Sequence, residues 1–408
     1  MSNNESLARI RTATLNLLAY CKREKWAGHD PYDALNSKVF EAMPILNSRI
    51  PRLVLTQALK RSPVDIRSLL LIPKTQNSKA LSLFLTSILN LSNCGLECEE
   101  DMEYLIERIR QLRSPNAAYW CWGYSFPWQT RTIVVPTATP NLVCSTFVAT
   151  ALLNAFEQRN DGRCLEMAMS AAEYIHNELY FEEGGDVAGF AYPLPTNRVH
   201  VHNANLLGAA LLCRVSRISG DEKFLQRALK VARYSASRQQ PDGSWFYGES
   251  NAARWIDNFH TGYNLSALES IDRNLNTTEF QVAVRKGFDF YRTHFFREDG
   301  AARYFHNNTY PIDIHCVAQS ILTLVEFQHL DGGSVELAHQ VFDWAMDNMW
   351  SDRGYFHYRV LRFMTIRTSY MRWSQAWMLT ALSTLLQFHC VQQVTDSQWK
   401  SATPAVSR

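Results

Sequence analysis

The sequence has no apolar run of the length that spans a bilayer, so no membrane span is expected. It is also short of net charge: 41 Lys and Arg stand against 39 Asp and Glu, a formal charge of +2. No basic stripe is present to neutralise a nucleic-acid backbone, and there is no acidic tail, so nucleic acid is excluded as a partner. The nine cysteines (Cys21, Cys94, Cys98, Cys121, Cys144, Cys164, Cys213, Cys316 and Cys390) form no paired framework. An odd, scattered set partly inside apolar helical runs fits a reducing compartment. Met1-Ser-Asn-Asn-Glu-Ser6 is not a basic segment leading into an apolar core. No signal peptide is therefore expected, and the expected location is cytoplasmic. Phosphate-loop, nucleophile-elbow and His-Glu-x-x-His signatures are all missing. Cys94-Gly-Leu-Glu-Cys98 lacks a second cysteine pair, and His200-Val201-His202 has no supporting metal motif, so neither a metal nor a cofactor is expected.

What is abundant is aromatic: 12% of the chain, with 11 Trp and 17 Tyr, many of them beside Gly and Pro in turns. Apolar helical stretches recur at 81–91, 142–156, 204–215, 262–271, 315–327 and 375–388. Aligned on Leu89, Leu152, Leu211, Leu268, Leu322 and Leu382, they repeat every 63, 59, 57, 54 and 60 residues. Amphipathic, more charged helices at 99–113, 164–179, 222–238, 279–295 and 335–349 each precede one apolar helix, and the N-terminal region, with an opening helix at 5–25, is expected to supply the outer helix of the first repeat. Helices apolar all round must be buried, and one-sided helices cover them. The expected fold is therefore all-α, an (α/α)6 toroid of six inner and six outer helices around a central cavity. The open superhelix of stacked pairs is disfavoured because the chain ends do not look like caps. A single domain over 1–392, including an N-terminal helical extension, and a flexible C-terminal tail over 393–408 follow.

The outer-to-inner connections are long and rich in Gly, Pro and aromatics, as in Tyr119–Trp128 and Gly243–Gly248. They emerge on one rim, at the N-termini of the inner helices, where binding sites on a repeat scaffold usually lie. The residues expected to converge there are His260, Tyr263, Asp313, His315 and Asp257 for catalysis. Arg372, His202, Asn203, Trp122, Tyr124, Trp245, Trp255, Tyr370 and Gln375 are expected to bind substrate. Several of the acids and asparagines would equally serve as helix N-caps, and several aromatics as core.

Gln239-x-x-x-Gly243-x-Trp245 resembles the repeat turn of terpenoid-cyclase toroids, although their Asp-x-Asp-Asp motif is absent. Four stretches, 28–36, 242–248, 255–263 and 311–315, look like those of toroid proteins of bacterial polysaccharide biosynthesis. Some of these proteins resemble glucuronyl C5-epimerases and others are cyclase-like. The resemblance implies a carbohydrate-active enzyme acting on a sugar, sugar nucleotide or oligosaccharide. The expected chemistry is acid–base transfer at a ring carbon, of epimerase or lyase type. Tyr263, His260 or His315 would move protons, Arg372 would hold a carboxylate, and Asp313 would orient or act as second acid. The alternatives are a glycoside hydrolase using Asp257 and Asp313, or a non-catalytic glycan-binding or assembly protein. The sequence indicates no oligomeric state.

Overall fold

The computed structural model describes the backbone of residues 3–43, 45, 48–130 and 133–402, and side chains of these stretches from 5 to 392. The inner helices are α4 (Ser78–Asn93), α6 (Leu142–Arg159), α8 (His202–Ser219), α10 (Asn258–Leu275), α12 (Ile314–Glu326) and α14 (Trp377–Ala402). Each packs on the next, and α14 packs on α4, so the ring is closed. The expected (α/α)6 toroid is what the chain adopts. Outer helices α5 (Glu99–Gln111), α7 (Gly162–Tyr174), α9 (Leu225–Ser237), α11 (Gln281–His294) and α13 (Ser334–Met349) each pack on the inner helix that precedes them. The sixth outer position is against α14 and is taken by α1 (Asn3–Arg23) from the other end of the chain, so the N-terminal helix covers the last inner helix and not the first as expected. One continuous apolar core joins the two layers.

Side-chain caps fix the starts of four of the six inner helices. Asn77, Asn141, Asp257 and Asp313 have extended backbone, and their side chains accept from N–H groups in the first turns of α4, α6, α10 and α12. Asn160, Gly220 and Asn276 end α6, α8 and α10 in the left-handed conformation. The return to each outer helix is short, two residues between α6 and α7, whereas thirty separate α5 from α6. All the long loops thus lie on the rim where the capped inner-helix starts converge. Small antiparallel pairs stiffen these loops, such as Tyr180–Gly184 with Val187–Phe190.

The last inner helix starts differently. Met371–Ala376 forms a wide π-turn, with Gln375 N–H donating to Tyr370 O at 3.1 Å. The segment after α1 crosses this seam: Met371 N–H donates to His29 O, and Gly28 pairs with Thr75 at the entry to α4. A Cβ on Gly28 would sit 2.6 Å from Met371 Cβ, so only glycine allows that crossing. Helices α2 (Lys38–Glu41) and α3 (Arg49–Arg61) follow, and Ala34, Leu59 and Ile72 make a small second core beneath them. The stretch expected to be a loose tail continues α14 as far as Ala402, while 403–408 lie outside the described residues.

The glutamine–tryptophan turn is a clamp between α9 and α11. Gln239 Nε2 donates to Gly243 O and Ala283 O, both at 2.9 Å, and the buried Trp245 donates to Ser235 O at 3.1 Å. Gly243 has φ +94°, and a Cβ there would meet Lys286 O at 2.3 Å. Trp245, expected to touch substrate, is a core residue: its edge fills the space left by Gly287.

Candidate active site

A cavity of about 450 Å³ opens at the rim where the inner helices begin. Its wall is largely aromatic: Tyr32, Tyr124, Phe126, Trp128, Tyr192, Tyr247, Trp255, Phe259, Tyr304, Phe305 and Trp373. The polar groups among them are Lys79, Asn203, Asp257, His260, Tyr263, His315 and Arg372. Few polar groups set in a mainly apolar concave wall is the usual make-up of a small-molecule site.

Two acid–base pairs project into it from α10 and α12. Asp257 caps α10 through His260 N–H at 3.0 Å, and its other oxygen lies 2.7 Å from His260 Nδ1. The same oxygen accepts from Trp255 Nε1 at 2.9 Å. The Asp257 side chain is fully buried, so this carboxylate fixes the imidazole with its proton on Nδ1 and leaves Nε2 as the free basic nitrogen. One turn along the same face, Tyr263 OH lies 2.6 Å from His315 Nε2. The rings of His260 and Tyr263 are 6.0 Å apart, centre to centre. Burial pushes the Tyr263 hydroxyl well above its usual pKa, and burial together with the positive charges of Lys79 and Arg372 holds His315 well below its own. Both are therefore neutral at pH 7, with the phenol donating to the imidazole. His315 is stacked between Phe259 and Trp377, and its Nδ1 has no protein partner.

Arg372 lines the cavity but is not free. Its Nε and Nη2 donate to the two carboxylate oxygens of Asp30 at 2.7 and 2.8 Å. Burial alone would weaken its hold on the proton, but Asp30 raises its pKa above the ordinary arginine value. Asp30 is held in turn: its own N–H donates to Asp33, which pairs with the buried Arg67 at 2.9 Å. Arg372, expected to hold a substrate carboxylate, thus already holds the carboxylate of Asp30 through two of its three nitrogens. The cation left without a carboxylate is Lys79, in the first turn of α4.

Eight of the fourteen expected residues line the cavity: Asp257, His260, Tyr263, His315, Arg372, Asn203, Tyr124 and Trp255. The other six do not. Asp313 is fully buried behind the wall, where its oxygens accept from His315 N–H, Trp373 Nε1 and Arg359. It positions the π-turn and α12 and does not face the hollow. Trp122 is in the core, donating to Ile109 O at 2.8 Å. Trp245 is the clamp described above. Tyr370 is buried edge-on to Tyr358 beneath Arg67, and Gln375 is spent on Phe356 N–H and C=O. His202 lies on a separate hollow with Arg238, Glu249 and Arg254, and burial takes its pKa down to about 4.

Residues that the sequence reading left out are Lys79, Tyr32, Tyr192, Tyr247 and Tyr304. Lys79 had a signal: it stands two residues after the cap Asn77, as His315 stands two after Asp313, and it is the one charged residue of its helix. A second hollow of about 540 Å³ adjoins the first, and Trp128, Tyr192, Tyr247 and Trp255 line both. Tyr247 and Trp255 stack at 4.4 Å to form the shared wall. Among the described residues no group of three or more His, Cys, Asp or Glu is placed to hold a metal. No described helix is long and apolar enough to cross a membrane.

No protein-family model matches the sequence, and no curated protein matches it at a significant level. Solved structures do. A sugar epimerase from a ruminal bacterium superposes with TM-score 0.58 and 12% identity, over 78% of this chain and 90% of that one. Cellobiose 2-epimerase from Bacillus thermoamylovorans gives 0.58 and 11%, over 78% and 89%. A GH76 α-mannanase from Bacteroides thetaiotaomicron gives 0.58 and 11%, over 78% and 87%. The shared property is the fold. At this identity the likeness does not carry a reaction with it.

Proposed function

We propose that the protein is a carbohydrate-active enzyme that moves a proton at a ring carbon of a sugar or uronic acid residue, as an epimerase or lyase does. The observation that carries this reading is the pairing of His260 with Asp257 and of Tyr263 with His315 on one cavity wall. An imidazole oriented by a carboxylate is placed to act as a base, and a phenol whose partner is neutral is a proton donor. His260 Nε2 would take the proton, and Tyr263 would protonate the intermediate in an epimerase or the leaving oxygen in a lyase. The aromatic wall suits sugar rings, whose apolar faces stack on such side chains while their hydroxyls seek groups such as Asn203. Its Oδ1 has no protein partner. The structural neighbours named as sugar epimerases agree with this direction.

The hydrolase alternative is the weaker one. Glycoside hydrolysis usually needs two carboxyl groups flanking one bond. Here Asp257 is the one carboxylate among the described cavity residues, and Asp313 is tied up behind the wall. A Salegentibacter α-1,6-mannanase of similar fold is described as inactive when two adjacent aspartates are replaced. This chain has no two adjacent aspartates.

The test is incubation with uronate-containing oligosaccharides in D2O. Deuterium at the carbon bearing the carboxyl group, or the ultraviolet absorbance of an unsaturated uronate, is expected with the wild type and not with His260→Gln. Release of reducing ends with neither signal would overturn the proposal.

A further inference from the structure

We infer that Lys79 is the binding site for the carboxylate of the substrate, so that the enzyme selects acidic sugars over neutral ones. This deepens the proposed function and rests on it. Lys79 stands in the first turn of α4, is 4% exposed and borders the cavity. Its ammonium lies 3.9 Å from the centre of the Phe147 ring and 5.3 Å from that of Trp377, with no ion pair among the described residues. A cation on ring faces is partly stabilised, but a buried charge without a counter-ion remains costly. The neighbouring charges offset this only weakly, Asp30 from a distance. Arg372 repels it, Asp30 is saturated by Arg372, Asp257 is saturated by His260 and Trp255, and Cys144 and His315 are uncharged.

The missing counter-charge therefore belongs to the ligand. Its position says what that charge does. The Lys79 ammonium is 5.7 Å from the centre of the Tyr263 ring, so an anion paired with it sits beside the proton-transfer groups. A carboxylate there is attached to the carbon whose proton moves, and the ammonium faces the oxygens on which negative charge grows as that proton leaves. Burial, and then Arg372, bring the Lys79 pKa down to about 7, and a bound carboxylate would restore it.

The test is tryptophan fluorescence titration of the full chain, with Trp128, Trp255 and Trp373 in the wall as reporters. The probes are methyl glucuronoside and methyl galacturonoside, their neutral counterparts methyl glucoside and methyl galactoside, and glucose 6-phosphate. The wild type is expected to bind a uronoside at least about tenfold more tightly than its neutral counterpart and than the phosphate. That ratio is expected to fall to about one in Lys79→Met and Lys79→Gln, and to be partly kept in Lys79→Arg. Persistence of the preference in both neutral variants, no preference for either uronoside, or tighter binding of the phosphate would each overturn the inference. Deuterium exchange separates the two ideas. Exchange into a neutral sugar leaves the acid–base reading standing without this site, whereas Lys79-dependent uronoside binding without exchange leaves the site and removes that reading.

Discussion

Asp30 and Arg372 form a two-pronged ion pair with both side chains buried, although 342 residues separate them in the chain. The pair joins the segment following the first helix to the π-turn that begins the last inner helix, and so seals the ring where its ends meet. Removing one partner leaves a buried charge unpaired. Asp30→Asn is expected to cost about 3–5 kcal/mol. Urea denaturation measures it, and a cost below about 1 kcal/mol would mean that the seam is held by packing alone.

Asp257 and Asp313 look alike in sequence, each an Ile-Asp step opening an inner helix, yet they predict different phenotypes. Asp257→Asn keeps the cap but lets the amide donate to His260 Nδ1, which reverses the tautomer. Proton exchange is expected to fall by roughly 10²–10⁴-fold with the melting temperature little changed. Asp313→Asn strips Arg359 of its counter-charge in the interior. The expected result is a loss of about 3 kcal/mol or more in stability, with proton exchange in the folded fraction reduced much less. Thermal melts and deuterium wash-in on the same two variants decide between these outcomes.

The architecture was legible because inner helices apolar on every side have one place to go. The site was legible where helix geometry constrains it. Asp257 and His260 stand three apart, so cap and imidazole share a face, whereas Asp313 and His315 stand two apart and diverge. Loops have no such periodicity. Trp122 and Tyr124 are neighbours in one aromatic turn, yet Trp122 enters the core and Tyr124 the cavity. Nothing local in the sequence distinguishes them. The pairing of Arg372 with Asp30 was not legible, because its partner lies at the opposite end of the chain.

Lys79 makes a prediction about pH. Its pKa is about 7 when folded and 10.5 when exposed, so between these values the unfolded chain binds more protons. Stability from this group therefore rises with pH across that window, and its burial is most costly below about pH 7. Lys79→Met is expected to be more stable than the wild type by a few kcal/mol at pH 6.5 to 7. The gap should narrow steadily towards pH 10. Urea unfolding of both proteins across this range gives the difference directly, and a gap that is constant with pH would contradict the assignment.

The Gln239–Trp245 clamp should affect stability and not ligand. Gln239→Ala removes two part-buried hydrogen bonds and is expected to cost about 1–3 kcal/mol. Trp245→Ala opens a cavity between α9 and α11 at about 3–5 kcal/mol. Neither residue touches the central hollow, so dissociation constants for a uronoside measured on the folded proteins should match the wild type. A large change in affinity for Gln239→Ala would return this turn to the binding site.

The adjoining hollow offers room for a ligand longer than one sugar. Of about 540 Å³ against 450 Å³ for the central cavity, it has room for at least as much again as the centre holds. The two share Trp128, Tyr192, Tyr247 and Trp255, so a chain seated in the centre would extend over an aromatic sill into the arm. Stacking along that sill adds contacts for each further sugar, and an oligosaccharide should bind more tightly than the monosaccharide of the same residue. Ala253 lines the arm only, and a large side chain there fills it without reaching His260 or Tyr263. Ala253→Trp is expected to leave affinity for a methyl uronoside as it was, while abolishing the gain, roughly tenfold or about 1.4 kcal/mol, from mono- to tri-uronide. Titration of both ligands against both proteins reads this out. Equal affinity of the wild type for the two would show that the reacting residue binds alone, and that the arm serves another purpose.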